Sequence, residues 1–188
     1  MSQLNDKAPM FELNNTKKEI VSLSEHIGKP IVLAFFPGAY TGVCDTEMCS
    51  FRDNMDSFNN LNATVFGISV DSPWANGAFS KEYSLNFELL SDYNRDVIKQ
   101  YDVTFEGLGG LQGYESSNRA VVIIDSEGVI KYKWVAENPG IEPNYDEVIN
   151  TVKDVDVVIN LATHSLVSSL GEETKNAQVN IIGLLNIL

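Results

Sequence analysis

The stretch FFPGAYTGVCDTEMC, Phe35 to Cys49, holds both cysteines of a 188-residue chain. It grows out of the apolar run IVLAFF (31–36), the signature of a parallel strand buried on both faces. Pro37-Gly38 ends that strand, and a helix follows. Met48, Phe51, Met55 and Phe58 recur at intervals of 3, 4 and 3, a single apolar stripe turned towards a core. Four residues before Met48, on the same stripe, lies Cys44.

Outward from this stretch, strands and helices alternate. On the N-terminal side, VSLSEHIGKP (21–30) reads as a strand end and a helical turn, with Ser24 as its cap and Gly28-Lys29-Pro30 as its stop. ATVFGISV (63–70) is a second buried strand, and Pro73 suits the first turn of a helix reaching Tyr83. NFELLSD (86–92) is a short strand, with a helix beginning near Asn94. The Gly-rich VTFEGLGGLQGYESSN (103–118) lacks the strand-then-helix context of a nucleotide site and reads as loop. RAVVIID (119–125) and VIKYKWV (129–135), joined by Ser126-Glu127-Gly128, form a hairpin, and PNYDEVINTV (143–152) opens a terminal helix. This order predicts an α/β fold, a central mixed β-sheet flanked by helices.

The composition is that of a globular chain: 44% hydrophobic and 21% charged residues. With 26 acids against 13 bases, the formal charge is −13, which argues against nucleic acid or anionic membranes as partners. The N-terminus shows no basic segment followed by an apolar core, and no apolar run approaches a membrane span of roughly 20 residues. The expected location is cytoplasmic. There, paired cysteines serve reactivity more often than cross-linking. The two histidines, His26 and His164, are far from them in sequence, and the spacing is CxxxxC, not CxxC. A metal site, which usually asks for four ligands, is not expected from these residues.

With Thr41 as N-cap, Cys44 falls in the first helical turn, where free N–H groups and the helix dipole favour thiolate, the nucleophilic form. Asp45 and Glu47 oppose this, because nearby carboxylates raise a thiol pKa. A cation must compensate. Arg52 lies on the same helix, but Arg119, at the mouth of an apolar strand, is the better candidate, since an arginine there is costly unless paired. On these residues alone, Cys44 as a small core residue and Arg119 as a structural ion pair remain open readings.

Pro37, Thr41 and Cys44 reproduce the PxxxTxxC pattern of peroxiredoxins, and Arg119 in NRAVVIID resembles that family's active-site arginine. The resemblance spans roughly residues 4–153, including PMFEL (9–13), FFP (35–37) and LLSD (89–92). It implies a thioredoxin-like fold and a cofactor-free peroxidase. Cys44 would attack the hydroperoxide and become a sulfenic acid. Thr41, Arg119 and the Val43 and Cys44 amides would orient the peroxide, Pro37 would shield the sulfur, and Glu47 would anchor Arg119. The implied partners are a hydroperoxide and a thioredoxin-like or other dithiol reductant, with the protein a monomer or homodimer. Cys49, five residues beyond Cys44, resembles the Q-type, bacterioferritin-comigratory-like subgroup, whereas EPNYDEV (142–148) resembles the one-cysteine E-type. Asp45 departs from the family pattern.

Residues i and i+5 of an intact helix lie about 7.5 Å apart along its axis and some 140° around it, so their Cα atoms are roughly 8–9 Å apart, beyond disulfide reach. For Cys49 to resolve the sulfenic acid, the helix must unwind. The alternatives are an external thiol as resolver, a peroxide sensor, or a binding module on the same scaffold. The peroxiredoxin domain is expected to occupy residues 1–153, with 154–188 as an extension. In that extension the apolar stripe from Val148 to Leu166 suggests a helix running to Gly171, and VNIIGLLNIL (179–188) an apolar end that packs on the body or on a partner.

Overall fold

The computed structural model describes residues 2–155, so the expectations for the extension lie outside the described residues. Its frame is a seven-stranded sheet. β1 (Glu12–Asn15), β2 (Ile20–Ser22), β3 (Ile31–Phe35), β4 (Thr64–Ser69), β5 (Glu88–Ser91), β8 (Ala120–Ile124) and β9 (Ile130–Val135) are arranged in the order β2-β1-β5-β4-β3-β8-β9. β3, β4 and β5 run parallel, while β1 and β8 pair antiparallel to β5 and β3. The sheet is therefore mixed, as its sequence order implied, with the parallel centre formed by the three apolar runs.

Side-chain alternation along β3 divides the core in two. Ile31, Leu33 and Phe35 enter the cluster that contains Leu23, Val97, Ile98 and Tyr101; Val32, Ala34 and Phe36 enter the other. The second cluster holds α1 (Val43–Asp53), α2 (Met55–Asn60), Phe79 of α3 (Pro73–Glu82), and Val148 and Val152 of α5 (Tyr145–Val155). α4 (Asp96–Gln100) covers the first.

Met48, Phe51, Met55 and Phe58 are all buried together, but not on one unbroken helix: Asn54 interrupts it between α1 and α2. The stripe survives because Asn54 keeps a near-helical turn (φ −98°, ψ 3°). α3 begins with Pro73 at its first position and Ser72 as cap, its hydroxyl accepting from the Ala75 amide. At Leu23–His26 the short 3₁₀ turn is preceded by Ser22, not capped by Ser24. α4 starts at Asp96, two residues later than Asn94, because Asp92 accepts from the Asp96 and Ile98 amides. The Gly-rich segment is more than loop. β6 (Thr104–Glu106) pairs with β7 (Glu115–Ser117), and the glycines turn the chain between them. Three-residue strands flanking so many glycines give too little alternation to read.

Candidate active site

The register of β3 and β8 decides what meets at the end of the sheet. Phe35 pairs with Ala120, so Arg119, one residue before β8, lies beside the chain leaving β3. That chain turns through the buried Pro37 and Gly38 into α1. Two left-handed residues make the turn, Tyr40 (φ 62°) and Gly42 (φ 74°). Gly42, not Thr41, occupies the N-cap position, where a positive φ suits a residue without Cβ. The turn is tethered from β4's end: the Ala39 amide donates to Asp71 Oδ2 at 2.8 Å. Gly67 of β4 lets α1 settle onto the sheet. A Cβ there would stand 2.4 Å from a Leu89 methyl and 3.4 Å from the Met48 sulfur.

Cys44 is thus the second residue of α1, in the first turn as expected, and has no exposed surface. Thr41 is freed from capping to act on the sulfur. Its Oγ1 lies 2.8 Å from Cys44 Sγ and 2.7 Å from the Gly38 carbonyl oxygen. A hydroxyl has one proton, so it serves one acceptor at a time. Beside a thiol it donates to Gly38 and can accept the S–H; beside a thiolate it turns and donates to sulfur.

Arg119 is 1% exposed, and each of its three guanidinium nitrogens donates a hydrogen bond. Nη1 donates to Glu47 Oε2. Nη2 donates to Cys44 Sγ at 3.4 Å and to the Pro139 carbonyl at 2.9 Å, and Nε donates to the same carbonyl at 3.1 Å. Glu47, also without exposed surface, stands three residues beyond Cys44 on α1, so helix geometry delivers the sulfur and the anchor of its cation together.

The electrostatics differ from the expectation of a simply lowered thiol pKa. Burial pushes the Cys44 thiol up, and this wins; Arg119, the Thr41 hydroxyl and a backbone hydrogen bond with Gly38 pull it down, while Glu47 adds to the rise. Burial also pushes the Glu47 carboxyl up to about 8, against the pull of Arg119. One buried cation therefore faces two acidic groups, each of which resists losing its proton while the other is charged.

Pro37, Thr41, Cys44, Glu47 and Arg119 converge at this corner. Cys49 stays away from it, half-buried on the intact α1, and both cysteines are free thiols. Arg52, the other cation weighed from sequence, points elsewhere: Nη1 donates to the Tyr83 carbonyl at 2.7 Å, and Nε to Asp53 at 2.8 Å. Asp45 finds a donor in the Tyr83 hydroxyl at 3.0 Å. Sequence reading missed Asp71 and Pro139. Asp71-Ser72-Pro73 reads only as a strand stop, and Pro139 acts through a backbone carbonyl, which carries no side-chain signal. His26, half-buried, packs edge-on against Phe66, with ring centroids 4.9 Å apart. Among the described residues, no group of three or more His, Cys, Asp or Glu side chains could hold a metal ion, and no helix is long and apolar enough to cross a membrane.

Known proteins share this arrangement of elements. The AhpC/TSA family profile matches residues 4–133. Peroxiredoxin Bcp of Bacillus subtilis (strain 168) is 34% identical over 153 residues, which cover 81% of this chain and 96% of that protein. The chloroplastic peroxiredoxin Q of Triticum aestivum is 38% identical over 124 residues, covering 66% of this chain and 55% of the relative. Among solved structures, peroxidoxin BcpB of Mycobacterium tuberculosis superposes with a TM-score of 0.72 at 26% identity, covering 82% of this chain and 99% of that one. The mitochondrial 2-Cys peroxiredoxin of Plasmodium falciparum does so with a TM-score of 0.70 at 32% identity, covering 81% and 94%. With its thioredoxin-like sheet and its family profile spanning most of that sheet, the chain belongs to the AhpC/TSA family and is a thiol-dependent peroxidase of the Bcp and peroxiredoxin Q kind.

Proposed function

We propose that Cys44 is the peroxidatic thiol of this enzyme, acting on hydrogen peroxide and small organic hydroperoxides. The observation that carries this reading is the pair of donors on one sulfur, Thr41 Oγ1 at 2.8 Å and Arg119 Nη2 at 3.4 Å. Both stabilise negative charge at the first turn of a helix. The Cys44 thiolate attacks one peroxide oxygen. The S–O bond forms as the O–O bond breaks, leaving a Cys44 sulfenic acid and an alkoxide or hydroxide that takes a proton to become alcohol or water. Arg119, Thr41 and the Val43 and Cys44 amides stabilise charge on the departing oxygen, and the buried Pro37 keeps bulk water from the sulfur. Cys44→Ser, nearly isosteric, is expected to abolish peroxide reduction and keep the fold. More than a few per cent of residual activity in the purified variant would refute the assignment.

Cys49 then resolves the sulfenic acid. Its sulfur forms the S–S bond, the S–O bond of Cys44 breaks, and hydroxide leaves as water after taking a proton. Both thiols belong to α1, so the turns between them must unwind first. Cys49 is half-buried and within a short loop of Cys44, so closure is entropically cheap once those turns melt. A thioredoxin-type dithiol would reduce the disulfide by exchange and restart the cycle. Mass analysis after one equivalent of peroxide is expected to show loss of two hydrogens. A stable sulfenic acid, reducible only by added thiol, would mean that an external thiol resolves Cys44.

A further inference from the structure

Asp45 is the residue that the chemistry of Cys44 leaves unexplained: a carboxylate next to the sulfur. It sits in the first turn of α1 with Oδ2 accepting from the Tyr83 hydroxyl at 3.0 Å, while Oδ1 is buried without any partner. Such a carboxylate is half satisfied. If the turn unwinds, water hydrates both oxygens. The folded turn therefore carries a built-in cost, and the single Tyr83 bond works against it.

Tyr83, which ends α3, also touches the far half of α1. Its carbonyl accepts from Arg52 Nη1 at 2.7 Å, and Asn86 Nδ2 donates to the Arg52 carbonyl at 3.4 Å. One residue thus holds the helix on both sides of Cys49: the hydroxyl grips the turn that must melt, and the carbonyl grips the turn that can stay. The ring is fixed by Phe79, 4.9 Å away, and by Tyr40 at 6.5 Å. The Asp45 bond raises the Tyr83 pKa, so the phenol keeps the proton it donates.

We propose that the Tyr83–Asp45 hydrogen bond latches the first turn of α1, making Tyr83 a positioning residue that sets how fast Cys49 reaches the oxidised Cys44. The latch rests on the reading that Cys49 resolves. Its consequence is a partition: a closed latch prolongs the sulfenic acid and exposes it to a second peroxide and sulfinic acid, and an open latch favours the disulfide.

Tyr83→Phe keeps the ring and removes the donor. After one equivalent of peroxide, followed by quench and mass analysis, disulfide formation in this variant is expected to be at least about fivefold faster than in the native protein, the scale of one charge-assisted hydrogen bond in a half-exposed setting. The sulfinic acid formed at a given peroxide excess should fall. The rate of the first peroxide step should stay within about twofold of native, a split that general loosening of the site would not produce. In the reduced proteins, amide hydrogen exchange of residues 43–49 should speed up in Tyr83→Phe, with residues 64–69 of β4 unchanged. Unaltered exchange over 43–49, or closure no faster than native, overturns the latch. If the native protein forms no Cys44–Cys49 disulfide, the resolving role of Cys49 falls instead, and the exchange comparison still decides whether Tyr83 holds the turn.

Discussion

Cys44 and Cys49 stand five residues apart on one helix, and the fold surrounds them in opposite ways. Cys44 has no exposed surface and receives two side-chain donors; Cys49 is half-buried beside the guanidinium of Arg52, whose hydrogen bonds go to Asp53 and the Tyr83 carbonyl. The same split separates the two arginines. Arg119 is sealed between Glu47, Pro139 and the sulfur, whereas Arg52 has a 30% exposed side chain and binds its sequence neighbour. Enclosure raises the Cys44 pKa, and Arg119 and Thr41 are the side chains that oppose it, so the specific donors and not burial favour the thiolate. Both cysteines lie on the intact α1, so the proposed resolution by Cys49 requires that helix to open.

Removing the cation is the largest test of this contrast. Arg119→Met leaves Glu47 buried without its partner, which should lower stability most above about pH 8, where that carboxyl would otherwise carry its charge. It should also lower the peroxide rate by about 100-fold or more, the scale for losing one preorganised donor. Arg119 lowers the Cys44 pKa, so a titration of thiolate absorbance must move upwards in the variant. A midpoint that is unchanged or lower would show that the guanidinium does not act on the sulfur. The matching change at the other arginine, Arg52→Met, should leave that midpoint in place.

Changing the second thiol comes next. Cys49→Ser should reach the sulfenic acid at the native rate and stop there, with turnover by dithiol reductants reduced at least about tenfold and sulfinic acid appearing at lower peroxide. Undiminished turnover would make Cys49 a structural thiol and the protein a one-cysteine enzyme.

How far these roles could be read beforehand depended on whether side chains or backbone carried them. The central strands were legible because IVLAFF is apolar throughout and ATVFGISV carries no charge, and α1 because its stripe has a clear period. Cys44 and Arg119 were legible because a thiol at a helix start and an arginine at a strand mouth need a reason to be there, whereas Glu47 as the partner of Arg119 followed only from the resemblance to peroxiredoxins. The cap read for Thr41 belongs to Gly42, and the Thr41 hydroxyl lies 2.8 Å from the Cys44 sulfur. The Pro139 carbonyl and the register that sets Arg119 beside Phe36 belong to backbone and long-range pairing, which no local pattern encodes. The net rise of the Cys44 pKa was hidden for the same reason, since it comes from burial by elements distant in sequence.

The finest test separates the two acidic groups that share Arg119. Glu47 raises the Cys44 pKa, and Arg119 lowers it. Above about pH 8, where the native carboxyl is ionised, Glu47→Gln removes a negative charge while leaving an acceptor for the guanidinium, so the thiolate midpoint, which burial raises above the ordinary thiol value, should move down. In the same alkaline range the peroxide rate should nevertheless fall, by about three- to tenfold, because a neutral amide holds Arg119 less firmly than a carboxylate. Stability gives an independent reading with a definite sign. The folded carboxyl sits at about 8, against an ordinary value of 4.5, so between these two pH values the native state binds the extra proton. Stability must then decline as pH rises from about 4.5 towards 8, and stay lower above that range. In Glu47→Gln this decline should flatten, as read from melting temperatures across the same window. A variant that keeps the native slope would place the proton on another group, and a thiolate midpoint that rises would show that Glu47 helps to ionise Cys44 instead of competing with it for Arg119.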